Sequence, residues 1–191
     1  MKNLTVRMTG NGPMLMHSDK LSDPLNPATK AHKRLTSDRA LKKTDEGVVA
    51  IAKSEYLASL YTNSDGIVCL PGLNIRKSLI EGARLHKGGK NIERGVIILD
   101  DMIPLVFDGP KTPEKLWDDP RFVDARSVVV MRSRLIRYRP VFKAWSATVN
   151  CIVNEESIDI ESLMHYWREA GAMVGMGDFR PLFGRYSVEV I

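Results

Sequence analysis

The chain has 191 residues, 43% hydrophobic and 27% charged, which is enough for one core with an appended subdomain and ordinary for a globular protein. A formal net charge of +5 and a pI near 9.2 suit a polyanionic partner without demonstrating one. Cys69 and Cys151 read as buried reduced thiols and the four histidines have no zinc spacing; with no secretory h-region and no apolar run of bilayer length, a soluble cytoplasmic protein without metal or cofactor is expected.

"NLTVRM" alternates and predicts a first strand, ended by "TGNGP". Residues 13–47 follow as an expected surface insertion, rich in Lys20, Lys30, Lys33, Arg34, Arg39, Lys42 and Lys43. The pattern predicts part loop and part short helix, over residues 27–41, mobile without a partner. "EGVVAIAKSEYLASLY" has helical spacing. "GIVCLPG" predicts a short strand with a Pro-Gly turn, and "LNIRKSLIEGARLH" an amphipathic helix bearing Arg76, Lys77 and Arg84 on its polar positions.

"RGVIILDDMIPLVFDG" predicts a pair of strands or one bent strand, and "PKTPEKLWDDPRFVD" a polar excursion. "ARSVVVMRSRLIRYRPVFKAWSATVNCIVN" predicts two or three strand segments, broken near Arg139 and Pro140. "EESIDIESLMHYWREAGAMVG" is a helix starting at Ser157 or Asp159, and "RYSVEVI" is a last strand. With insertions set aside, the order predicts an α+β, ferredoxin-like βαββαβ fold with an antiparallel sheet, its last strand beside its first and one sheet face left open. A single domain over residues 1–191 is expected.

Three segments carry candidate chemistry. In "ARSVVVMRSRLIRYRPVFKAW" no acid separates Arg126, Arg132, Arg134, Arg137, Arg139 and Lys143. Alternation puts Arg132 with Arg134, and Arg137 with Arg139. Tyr138, Phe142 and Trp145 interleave, a combination suited to a single nucleic-acid strand, with phosphates on cations and bases on rings, although each ring taken singly reads as a core residue. In "VGMGDFRPLFGRYSVEVI", Gly175 and Gly177 admit two readings. They form a loop whose N–H groups receive a phosphate beside Arg180 and Arg185, or a helix cap and turn that need no ligand. His17, Asp19 and Asp23 stand in the insertion and are positional candidates for acid–base chemistry, although isolated polar-loop residues are usually solvated. Asp100 and Asp101 are neighbours in an expected strand, point to opposite faces and make a poor metal site.

"CLPGLNIRKSLIEGARLH" and "GMGDFRPLFGRYSVEV" resemble the basic-helix segment and the glycine-rich loop with final strand of the RAMP superfamily of CRISPR-associated proteins. The nearest kind is the RNA-binding backbone subunit of effector complexes, or a short phage-encoded relative. The resemblance implies a ferredoxin-like palm, a thumb-like insertion at residues 13–47, and head-to-tail assembly on RNA or single-stranded DNA as a homo-oligomer or filament. Carried over residue by residue are Pro71, Gly72, Arg76, Lys77 and Arg84, then Gly175, Gly177, Arg180, Gly184 and Arg185. Asp178 and Phe179 depart from the dense glycine pattern. The leading expectation is sequence-independent strand binding without catalysis. The rivals are a RAMP-type endoribonuclease using His17 and Asp23, and a phage structural or CRISPR-interfering interaction protein.

Overall fold

The structure, a computed structural model, describes residues 1–191, with Val130 described by its backbone alone. In chain order the elements are β1 (Lys2–Gly10), β2 (Met14–Leu15), α1 (Pro27–Ser37), α2 (Asp45–Ser59), β3 (Cys69–Pro71) and α3 (Gly72–Arg84). Next come α4 (Gly89–Gly95), β4 (Val96–Ile98), β5 (Met102–Pro104), α5 (Pro113–Asp118) and β6 (Val123–Val130). The chain ends with β7 (Ser133–Phe142), β8 (Ser146–Val153), α6 (Ile160–Glu169), a π-helical turn (Ala170–Val174) and β9 (Tyr186–Val190). The class is α+β with antiparallel sheets. No helix is long and apolar enough to cross a membrane.

Two compact units are formed: Met1–Leu15, Thr62–Asp108 and Phe142–Ile191 make the first, Met16–Tyr61 and Gly109–Val141 the second. In the first, four strands lie in the order β4-β8-β1-β9, every neighbouring pair antiparallel. Alternation along β1 buries Leu4, Val6 and Met8, and along β8 it buries Ala147, Val149, Cys151 and Val153. α3 presents Ile75, Leu79 and Ala83, and α6 presents Leu163 and Trp167, to complete this core. The opposite face of the sheet carries Thr5, Arg7, Thr9, Thr148, Asn150, Ser187 and Glu189 and, among the described residues, no aromatic ring; Arg7 pairs with Glu189 at 3.3 Å. Most of these residues are exposed, and their chemistry does not suit base stacking.

In the second unit α2 packs against both α1 and α5. Its start is set by Thr44, whose hydroxyl accepts from the Gly47 N–H, with Asp45 and Glu46 in the first turn. Asn26 caps α1, where Pro27 occupies the first turn. α1 ends at Ser37, four residues before the expected limit, because Asp38 leaves the helical region and its carboxylate accepts from the Ala40 and Leu41 N–H groups. The expected polar excursion at residues 110–124 contains a helix of its own, α5, which buries Leu116.

The basic strands also differ from expectation. β7 passes unbroken through Arg139 and Pro140, because Pro140 stands opposite Val123, the first residue of β6, where the ladder ends. The break lies instead at Met131 and Arg132, whose φ angles of 47° and 69° make the two-residue turn of a β6–β7 hairpin. Arg132 therefore belongs to the turn and shares no strand face with Arg134, whereas Arg137 and Arg139 do share one.

Candidate nucleic-acid interface

Charge divides unevenly between the units. The second contains 16 Lys and Arg against 10 Asp and Glu, a formal +6; the first contains 12 against 13, a formal −1. The whole basic excess of the chain therefore belongs to the second unit. Within it Lys30, Lys33 and Arg34 are exposed on α1, Arg39, Lys42 and Lys43 follow, and Arg132 and Arg134 stand exposed on the hairpin. Among the described residues none of these eight forms an ion pair.

Other cations of the hairpin are engaged. Arg126 makes a two-pronged contact with Asp124, at 3.0 and 2.9 Å, and that contact, the largest cause, raises its pKa further. Arg137 donates to Glu55, a carboxylate only 6% exposed on α2, which also accepts from the Tyr138 N–H at 3.4 Å. Sequence reasoning missed Glu55, which lies 82 positions from its partner in an ordinary helical pattern. It fastens the hairpin to α2. His32 of α1 meets the Ser54 hydroxyl of α2 at 3.2 Å; burial lowers the His32 pKa, and Arg137 adds to the lowering while Glu55 opposes it.

Of the interleaved aromatics, two are core residues, the reading each allows when taken singly. Phe142 is fully buried and Trp145 is 3% exposed, its indole N–H donating to the Gly12 carbonyl, so both belong to the first unit's core. Lys143 between them is exposed. Tyr138 keeps partial exposure.

Segments 69–86 and 175–190, about a hundred residues apart in sequence, pack on each other. Ser78 of α3 donates to the Gly175 carbonyl at 3.0 Å and meets the Tyr186 hydroxyl at 2.9 Å; Arg180 pairs with Glu81 at 3.2 Å. A cleft of about 530 Å³ opens there, lined in part by Glu81, Asp178, Phe179 and Arg180. Its two carboxylates outnumber its one guanidinium, which Glu81 already holds, and that balance opposes a phosphate.

Much of the glycine loop's bonding capacity is spent internally. Met176 donates to the Gly184 carbonyl, Asp178 to Leu15, and Gly184 to Pro13, each at 2.8 Å. Gly177 and Gly184 have φ near 75°, and a Cβ would fall 2.2 Å from the Leu15 oxygen at the first and 1.7 Å from the Met176 oxygen at the second. Close backbone approach thus accounts for both glycines. Gly175, also at positive φ, follows the π-helical turn and donates to Ala170. Arg185 donates to the Pro181 carbonyl.

In the first motif Gly72 is held against the Asp100 oxygen, which a Cβ would meet at 2.2 Å. Pro71 precedes it as the last residue of β3. Arg76 and Arg84 both turn to Glu93 of α4, through its carbonyl at 2.9 Å and its carboxylate at 3.0 Å. Lys77 is exposed and makes no ion pair among the described residues.

His17 is exposed, and its carbonyl accepts from the Tyr61 hydroxyl. Asp23 accepts from the Leu25 N–H in the turn that leads to α1, and among the described residues no hydrogen bond joins it to His17. The structure instead brings together His86 and His165, ring centroids 4.8 Å apart, with Glu169 at 3.8 Å from His86. Among the described residues no group of three or more His, Cys, Asp and Glu has metal-binding geometry. Compared with known proteins, the chain matches no family model and no curated sequence.

Proposed function

We propose that this chain binds RNA or single-stranded DNA without reading its sequence. The observation that carries the reading is the charge partition: a second unit of formal +6 with eight exposed cations that form no ion pair among the described residues. Such groups neutralise phosphates and release counterions, whereas a guanidinium already bonded to a carboxylate contributes little. The four-stranded unit is read as a ferredoxin-like core of RAMP kind. Support comes from the order β4-β8-β1-β9, from α3 lying between β1 and β4 in the chain and α6 between β8 and β9, and from the packing of the two motif segments. On this reading copies assemble head-to-tail along the strand.

Titration of labelled single strands at several salt concentrations tests it. Affinity falls with a log–log slope of about −0.7 per phosphate neutralised. Replacing Lys30, Lys33 and Arg34 by Gln lowers that slope by up to about 2, while Arg180→Gln leaves it unchanged. Absence of binding at low salt removes the proposal. Cut RNA would favour the endoribonuclease, and an oligomer of fixed size, indifferent to added strand, the interaction protein.

A further inference from the structure

The chain has three tryptophans. Trp145 and Trp167 are 3% and 0% exposed, whereas Trp117, on α5, reaches solvent. Its ring lies 5.3 Å from Tyr56 and 5.9 Å from Tyr138 by centroid, at interplanar angles of 64° and 62°. Both contacts are edgewise, so among the described residues no ring lies parallel to the indole. Tyr56 is fully buried and its hydroxyl donates to the Phe122 carbonyl. Tyr138 reaches solvent, and its hydroxyl has no hydrogen-bond partner among the described residues.

The surroundings suit a strand. Alternation along β7 places Arg134, Ile136 and Tyr138 on one face, with Ile136 54% exposed. Arg134 forms no ion pair among the described residues and stands four residues, about 13 Å of strand, from Tyr138. The two acids next to Trp117 are each held by a cation: Asp118 lies 3.9 Å from Lys53, and Asp119 accepts from Arg121 at 2.7–3.1 Å. They repel a phosphate less than free carboxylates do.

We propose that Trp117 and Tyr138 form a stacking subsite for the bases of a single strand whose phosphates run past Arg134; this rests on the nucleic-acid reading above. Aromatic platforms accept any base, because every base has a π-face. The subsite thus adds affinity without adding sequence preference, and it distinguishes a base-bearing strand from a bare phosphodiester chain.

The wild-type protein supplies the readout, since Trp117 is the tryptophan that a stacked base can quench. Labelled oligouridylate, oligothymidylate and an abasic strand of equal length are titrated, with strand anisotropy and tryptophan emission read together. Both base-bearing strands are expected to quench emission, and the abasic strand to bind roughly 5- to 150-fold more weakly per stacked base without quenching. Trp117→Leu and Tyr138→Leu are each expected to weaken base-bearing strands within that range and to leave the salt slope unchanged. Binding of all three strands with equal anisotropy curves and unaltered emission overturns the subsite while leaving the phosphate reading intact. No anisotropy change with any strand at low salt overturns both.

Discussion

The Glu55–Arg137 contact makes the sharpest demand on the second unit. Glu55 is 6% exposed on α2, and Arg137 on β7 has a side chain 33% exposed. Glu55→Gln keeps the volume but strips the charge that holds the guanidinium. Breaking a fully buried pair from one side costs about 3–5 kcal/mol, because the other charge is left without compensation. Arg137's partial exposure lets water recover part of this, so about 2–3 kcal/mol is expected here. In a chain of this size that lowers Tm by about 4–12 °C. The assay is urea unfolding followed by circular dichroism, with strand binding measured in parallel, since the hairpin that carries Arg132 and Arg134 is fastened by this contact. The double variant Glu55→Leu with Arg137→Leu should recover much of the loss, because two apolar groups replace a matched pair. A Glu55→Gln variant within about 0.5 kcal/mol of wild type, with unchanged strand affinity, refutes the reasoning.

Two further outcomes follow from packing and burial. Gly184→Ala places a methyl 1.7 Å from the Met176 carbonyl oxygen at a φ of 75°, so the variant should lose at least about 3 kcal/mol or fail to accumulate; a melting curve close to wild type contradicts the packing role of the loop. Burial pushes the Cys151 thiol up to about 11 from an ordinary 9 and raises Tyr56 and Tyr186 as well. The folded state then holds protons that the unfolded state releases, so this contribution to stability is intact below pH 9. It falls by up to about 1.4 kcal/mol per pH unit for the thiol as pH rises from 9 towards 11. Cys151→Ala should flatten that part of the curve, as read by urea unfolding across the same pH range.

Local rules made several elements legible. Alternation in "NLTVRM" and "RYSVEVI" and the 3.6-residue spacing of "LNIRKSLIEGARLH" each found its element, because each buries one face against a core. What escaped were features decided by distant partners. The pattern around Arg139 and Pro140 predicts a break, since a proline inside a strand usually removes a ladder bond; the pairing of Pro140 with the first residue of β6 cannot be read from neighbours. Phe142 and Trp145 stand among cations in the sequence, yet burial assigns them to the core, while Trp117 is hidden in a segment whose prolines and charges suggest loop. Gly72, Gly177 and Gly184 are fitted against carbonyl oxygens, two of them far away in sequence. His86 and His165 meet only through the tertiary fold, 79 positions apart, which no local spacing reveals.

Neither unit is a continuous stretch of chain. Residues 62–108, which belong to the first, separate the two pieces of the second, and bonds such as Tyr56 to Phe122 span 66 positions. A ribosome must therefore deliver most of the polypeptide before either body can close, and loop-closure entropy makes such folding slow. It follows that no single cut yields an independently folding half: a fragment ending at residue 108 would lack β8 and β9 on one side and the whole hairpin on the other. Dissecting the basic body from the sheet body requires excising both of its pieces and splicing them, rather than truncation.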